Sequence, residues 1–184
     1  LSHFKLGYYV RCIRQGGVIA YPTETIYGLG CDPHQESSVQ HLLSIKQRPV
    51  EKGLIILVAD VHQALAYVDI DRAQLTQVFN SALHPTTWLL PKSKHVPAWI
   101  SGQHPSIAIR LTRHPIAAAL CRQLGHPLVS TSANVSAHPP AKNPLQIRKQ
   151  FRHQRVVCIH GPSLNNAPSE IKAWGSGHIL RSAQ

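Results

Sequence analysis

Between Glu36 and Val58 the chain has little freedom. Val39, Leu42, Leu43 and Ile45 recur at roughly helical spacing, which puts one apolar stripe on a helix starting near Glu36. Pro49 forbids its continuation, because the ring fixes φ and removes the N–H that a further turn needs. Leu54-Ile55-Ile56-Leu57-Val58 follows, an unbroken apolar run that reads as a buried strand. The junction is Lys46-Gln47-Arg48-Pro49, so two cations are held between two elements that must both pack. A helix dipole favours a cationic C-terminus by itself, and the K-x-R spacing alone specifies no chemistry.

The rest of the chain reads as strands and helices irregularly interspersed. Phe4 to Gln15 is expected as a helix with Leu6, Tyr9, Val10 and Ile13 inward, ended by Gly16-Gly17. Val18 to Tyr21 is a short strand, Pro22 to Thr25 a polar turn, and Ile26 to Cys31 an apolar return. Its Gly28 and Gly30 admit close approach of a ligand or another strand. Asp60 and Asp71 are placed to cap helices running to about Val68 and Ala82, and Thr86 to Leu90 is a strand closed by Pro91. Lys92 to Pro105 reads as a loop and Ser106 to Arg110 as a strand ending on a cation. Pro115 opens an alanine-rich helix that Gly125 closes. Pro127 to Val129 is then a strand, with the hydroxyl-rich Ser130-Thr131-Ser132-Ala133-Asn134 directly at its end. Leu145 to Phe151 is a short helix, and Val156–His160, Ile171–Trp174 and His178–Arg181 are the last strands. The order fits an α/β (α+β type) fold, a twisted, mixed and mostly antiparallel sheet flanked by helices. With no repeat and no low-complexity linker, residues 1–184 are expected to form a single domain.

Composition bounds the function. A formal net charge of +11, spread along the chain, points to polyanionic partners such as nucleotide phosphates or RNA. No apolar run is long enough to span a membrane and no signal-peptide layout is present, so a cytoplasmic location is expected. The absence of Met suggests a trimmed start. Four dispersed cysteines form no C-x-x-C pair, which fits a reducing compartment. The thirteen histidines show no H-E-x-x-H, no H-x-H and no zinc-site spacing, so they read as surface usage with no metal ligand set.

P-loop, Rossmann and nucleophile-elbow motifs are all missing. What the chain offers instead is cations (Lys46, Arg48, Lys52, Arg110) and hydroxyls (Thr23, Thr25, Ser130, Ser132). That inventory suits the positioning and neutralising of anions, the main demands of phosphoryl or nucleotidyl transfer. A non-catalytic module binding tRNA or double-stranded RNA is the alternative, although no aromatic pair for base stacking is evident.

Tyr21-Pro22-Thr23-Glu24-Thr25-Ile26-Tyr27-Gly28-Leu29-Gly30-Cys31-Asp32 resembles the opening motif of the YrdC/Sua5 family. Lys46-Gln47-Arg48-Pro49, Ile107-Ala108-Ile109-Arg110 and Ser130-Thr131-Ser132-Ala133-Asn134 resemble its later motifs, in the same order. The resemblance continues to Pro168-Ser169-Glu170-Ile171 and Ile179-Leu180-Arg181, and Lys52-Gly53-Leu54 looks most like the short bacterial form. It implies a YrdC-like domain with a large, basic, concave cavity. The implied reaction condenses L-threonine, bicarbonate and ATP to threonylcarbamoyl-AMP and pyrophosphate, with Mg²⁺ arriving on ATP. A downstream threonylcarbamoyl transferase complex would then form N6-threonylcarbamoyladenosine in ANN-decoding tRNAs, and direct tRNA binding through the cavity is a further expectation. Position by position, Lys46, Arg48, Ser132 and Asn134 look like the family's catalytic, ATP-phosphate-binding tetrad, with Lys52 adding charge. Arg110 looks like the arginine that holds threonine, with Thr23, Thr25, Ser130 and Ser169 beside it. A third possibility is a carbamoyl-transfer domain as in hydrogenase-maturation relatives, but the acylphosphatase and zinc-finger segments of those proteins do not accompany this chain. One departure stands out: Leu83-His84-Pro85-Thr86-Thr87 has His84 where many members have glycine in a Pro-Gly-Pro-x-Thr stretch.

Overall fold

The computed structural model describes residues 2–162 and 168–182. The stripe read near the start forms α1 (His3–Arg14), with Ser2 capping it by accepting from Lys5 N–H. Strands β1 (Val18–Tyr21) and β2 (Gly28–Gly30) follow, and then α2 (Glu36–Lys46). Val39, Leu42, Leu43 and Ile45 are all buried, as their spacing requires. α2 stops on Gln47, which adopts the left-handed conformation (φ 51°) before Pro49 and a single 3-10 turn, Val50–Lys52. β3 (Ile55–Val58) enters the core next. Asp60 and Asp71 cap α3 (Val61–Leu65) and α4 (Arg72–Asn80), the latter through a reciprocal capping box with Gln74. The remaining elements are β4 (Thr86–Pro91), α5 (Ala98–Ser101), β5 (Ser106–Leu111), α6 (Pro115–Leu124), β6 (Leu128–Ser132), α7 (Pro144–Gln150), β7 (Val156–Cys158), β8 (Glu170–Ala173) and β9 (Ile179–Arg181).

Among the described residues one sheet carries everything, in the order β7-β1-β2-β6-β3-β5-β4-β8-β9. The pairings β1–β2, β2–β6, β3–β6, β4–β5 and β8–β9 are antiparallel; β1–β7, β3–β5 and β4–β8 are parallel. The sheet is thus mixed and mostly antiparallel. One face packs Ala20, Leu29, Ile56, Val58 and Val129 against α2, α4, α5 and α7. On the other face Ile19, Tyr21, Leu57 and Leu128 pack against Val10 and Ile13 of α1 and Leu120 and Leu124 of α6. Gly30 is where the sheet closes most tightly: a Cβ there would lie 2.4 Å from the Val129 carbonyl oxygen and 2.8 Å from the Tyr21 ring. Its close approach is therefore to a neighbouring strand.

Three expectations are corrected. The segment Lys92 to Pro105 is not all loop: Pro97 starts the single turn of α5, and its Ile100 is fully buried and accepts from Leu54 N–H at 2.8 Å. The helix after Asp60 ends at Leu65 rather than near Val68, because Val68 forms an antiparallel bridge with Lys92. The first three residues of the hydroxyl cluster, Ser130 to Ser132, belong to the strand, and only Ala133 and Asn134 follow it. Ser130 pairs with Ile55, and Thr131 and Ser132 pair with Leu29 and Gly28. Pairing on both sides outweighs the local turn preference of Ser and Thr.

Candidate active site

The sheet face covered by α1 and α6 at one end is uncovered further along, and there it floors a cavity of about 440 Å³. Strand alternation dictates which side chains meet it. Beyond Tyr21, Leu57 and Leu128, the same-face positions are Gly28, Ser130, Ser132, Ile55, Ala108 and Arg110, all of which line the cavity. Glycine, hydroxyls, one alanine and one arginine leave room that a helix cannot profitably cover. Arg48, Lys52, Arg110 and Arg181 bring four cations to the described lining, and no carboxylate lies among them.

At one end of the cavity Arg110 is buried, and one guanidinium N–H reaches the Thr25 hydroxyl at 3.4 Å. Its Nε has no partner among the described residues. Burial lowers its affinity for the proton, and Glu24 opposes that by attracting the charge. Burial would raise the Glu24 carboxyl, but the Thr112 hydroxyl, Arg110 and nearby backbone N–H groups outweigh it and hold it below the usual carboxylate range. Its Oε1 accepts from Thr112 Oγ1 (2.7 Å) and from His114 N (2.8 Å), pinning the N-terminus of α6. Thr23 closes a local turn by donating to Ile26 O at 2.7 Å and accepting from Thr25 N–H at 3.1 Å, so it shapes the wall. Ser130 lines the floor. Ser169 lies 3.0 Å from the Thr87 hydroxyl, and its carbonyl accepts from Arg181 Nε (3.0 Å) and Nη2 (2.8 Å).

The other end gathers Lys46, Arg48, Lys52, Ser132 and Asn134, though not in equal roles. Lys46 is only 2% exposed, and its ammonium donates to Ser132 O (2.5 Å), Asn134 O (2.8 Å) and Asn134 Oδ1 (3.2 Å). Three N–H groups meet three oxygens, so Lys46 stands behind the end of β6 and fixes its shape. Burial, and secondarily the charge of Arg48, lower its pKa to about 8. Ser132 Oγ donates to Asn134 Oδ1 at 2.5 Å, while the Asn134 amide donates to Val135 O and His138 O. Of this group Ser132, Arg48 and Lys52 line the cavity; Lys46 and Asn134 do not. Past the left-handed Gln47, the Arg48 guanidinium donates to Gly53 O at 3.0 Å.

Arg181 was not singled out by sequence reasoning. Burial and the charge of Arg110 both lower its pKa, and both arginines line the same cavity. Only its place in the closing Ile179-Leu180-Arg181 strand hinted at a role. His84 lines a separate cavity of about 110 Å³ with Leu83, Pro85 and Trp88, and not the large one. Trp88 is a packing residue in the core, with the Lys172 ammonium 5.9 Å from its ring centroid.

A magnesium ion held by the protein does not fit this lining. Hard divalent cations take carboxylate or carbonyl oxygens, and the described cavity wall offers no carboxylate. Glu24 is engaged with the α6 N-terminus, and Asp32 sits beyond Gly30, at the opposite end of β2 from Gly28.

The family model Sua5/YciO/YrdC, described as telomere recombination, matches residues 11–183. The threonylcarbamoyl-AMP synthase of Cellvibrio japonicus is 44% identical over 179 residues, covering 96% of this chain and 95% of that protein. The same-named protein of Vibrio campbellii is 43% identical over 176 residues, covering 94% and 95%. Among solved structures, P. abyssi Sua5 complexed with L-threonine superposes with a TM-score of 0.91 at 27% identity. This chain is covered completely there but spans only 55% of that longer protein. E. coli YciO gives a TM-score of 0.87 at 25% identity, covering 99% and 90%.

Proposed function

The chain belongs to the Sua5/YciO/YrdC family, and we propose that it is a threonylcarbamoyl-AMP synthase, condensing L-threonine, bicarbonate and ATP with release of pyrophosphate. The observation that carries this reading is a cavity with four cations and no carboxylate in its described lining, Arg110 at one end and Arg48 with Lys52 at the other. The threonine amine and bicarbonate combine to a carbamate with loss of water. A carbamate oxygen then attacks the α-phosphorus of ATP, and the bond to pyrophosphate breaks. Every species brought together is anionic, so the main task of the protein is to lower the electrostatic cost of approach.

Arg110 takes the threonine carboxylate, and the Thr25 hydroxyl beside it accepts the amine or donates to a carboxylate oxygen. Thr23, Ser130 and Ser169 shape that pocket. Arg48 and Lys52 receive the triphosphate, and Ser132 donates to a phosphate oxygen once its hydroxyl leaves Asn134. Lys46 positions that end of β6. No protein nucleophile is required, since positioning alone supplies about 7–11 kcal/mol in the best-oriented intramolecular cases. Magnesium enters as the counter-ion of the nucleotide, held by phosphate oxygens and water. The product passes to a threonylcarbamoyl transferase complex that modifies tRNA in the cytoplasm, with residues 1–184 acting as one unit. A non-catalytic RNA-binding module is not favoured, because relatives named as synthases match nearly end to end.

The test is pyrophosphate release from ATP with bicarbonate and Mg²⁺, with and without L-threonine, beside Ser132→Ala. Threonine-dependent release that falls in the variant supports the reading. Well-folded protein with no threonine-dependent release sinks it.

A further inference from the structure

Outside the cavity, the fold assembles a cluster that the sequence disperses. Asp32 leaves β2 towards α2, His34 lies two residues on, and His126 sits in the turn between α6 and β6. One ligand atom from each of Asp32, His34 and His126 lies within 4.8 Å of the other two. We propose that Asp32, His34 and His126 form a binding site for a divalent transition-metal ion of the Zn²⁺ class.

The spacing fits such an ion. His34 Nδ1 is 3.4 Å from Asp32 Oδ1, and His126 Nε2 is 3.7 Å from Asp32 Oδ2. Ligands at about 2.0–2.1 Å in a tetrahedron stand roughly 3.3 Å apart. Each histidine is already close to that distance from one Asp32 oxygen, and binding would draw the two rings in from a spread of at most 4.8 Å. Both rings are held from their far nitrogens. His126 Nδ1 lies 2.8 Å from the Pro127 carbonyl oxygen, which can only accept, so Nδ1 carries the hydrogen. That leaves Nε2 as the nitrogen facing the Asp32 carboxylate, where a cation would sit between them. His34 Nε2 lies 2.7 Å from the Tyr67 hydroxyl, and with Nε2–H donating to it, Nδ1 is left bare towards Asp32. An outer hydrogen bond on the non-ligating nitrogen is the usual support of a ligating histidine. Asp32 is buried, and its oxygens are steadied by His34 N–H (2.9 Å) and the Gln35 amide (3.1 Å). The His34 side chain is 52% exposed, which leaves an entry path and an open position for water. Two imidazoles with one carboxylate favour zinc, cobalt, nickel or copper over magnesium and calcium.

The site lies at the opposite end of β2 and β6 from Gly28 and Ser132, so it is separate from the cavity. Its ligands stand at the start of α2, whose far end carries Lys46, and at the start of β6, whose far end carries Ser132. An ion there ties together the roots of the two elements that meet at the Lys46–Ser132 contact. The inference does not rest on the proposed reaction.

The test is calorimetric titration of chelator-stripped, nucleotide-free protein with ZnCl₂, and the visible spectrum with CoCl₂. Expected are one saturable equivalent of Zn²⁺, a raised Tm, and a tetrahedral Co²⁺ spectrum that Zn²⁺ abolishes. Asp32→Asn and His126→Gln should each weaken binding by more than the roughly 10–100-fold that losing an outer hydrogen-bond partner costs. The exposed-histidine variants His95→Ala and His153→Ala should leave it unchanged. Zn²⁺ binding equal in wild type and the His34→Ala/His126→Gln double variant overturns the proposal, as does an octahedral, weakly absorbing Co²⁺ spectrum. The spectrum is read on wild type and decides even if a variant fails to fold.

Discussion

One face of the sheet is treated in two ways. Under α1 and α6 its side chains are Ile19, Tyr21, Leu57 and Leu128, fully buried and apolar but for the Tyr21 hydroxyl, which donates to Val129 O. Further along, the equivalent positions are Gly28, Ser130, Ser132, Ile55, Ala108 and Arg110, of which only Ile55 is large and apolar. The covered half stabilises the fold through apolar burial, worth about 25 cal/mol per Å². The open half keeps cations out of bulk water with few partners, an arrangement that costs stability and serves anions. Substitutions should therefore separate, moving stability in one half and activity in the other.

Arg110→Ala breaks that separation and carries the largest effect. It removes the proposed threonine-carboxylate ligand and also strips the buried Glu24 of its cation. Threonine-dependent turnover should be lost, and denaturant unfolding should show a loss of about 3 kcal/mol. Leu57→Ala, in the covered half, should cost about 2–5 kcal/mol in the same unfolding experiment. Its kcat per folded molecule should be unchanged. Arg48→Ala is the converse. Turnover should fall by about 10²-fold, as when one preorganised donor is removed. Its Tm should hold or rise, because Arg48 depresses the proton affinity of Lys46.

The smallest effect concerns Lys46 and pH. Its folded pKa of about 8 lies below the ordinary 10.5, so between those values the unfolded chain holds more protons. Wild-type stability, measured against Lys46→Met, should thus rise as pH climbs from about 8 and level off past 10.5, with the cost constant below pH 8. Activity should move the other way, falling above pH 8 as the amine loses one of the N–H groups that hold Ser132 and Asn134. Equal slopes in wild type and Lys46→Met would remove Lys46 as their cause.

Legibility followed the range of the physics. Helix α2, its stop before Pro49, the caps at Asp60 and Asp71, and the Pro115-to-Gly125 helix rest on interactions within a few residues, and all were readable. α5 was hidden because Pro97 signals a loop as readily as a helix start, and the burial of Ile100 is a tertiary fact. Ser130 to Ser132 read as a turn because Ser and Thr favour turns locally, while the partners that extend β6 come from β2 and β3. At that end of the cavity, the motifs point to Lys46, Arg48, Ser132 and Asn134. They did not say that Lys46 and Asn134 face each other behind the wall while Arg48 faces the cavity. That difference lies in their partners, the end of β6 for Lys46 and Gly53 O for Arg48.

The sequence by itself determined the mixed sheet, the cationic junction after α2, the strand ending on Arg110, and through its motifs the family. Each depends on periodicity, chain stereochemistry or residue identity, which are local. Tertiary structure alone decided that Arg181 joins Arg110 in one wall and that Asp32 and His34 meet His126. Those meetings arise from strand order and helix packing, which bring distant positions within reach and leave no local pattern in the chain.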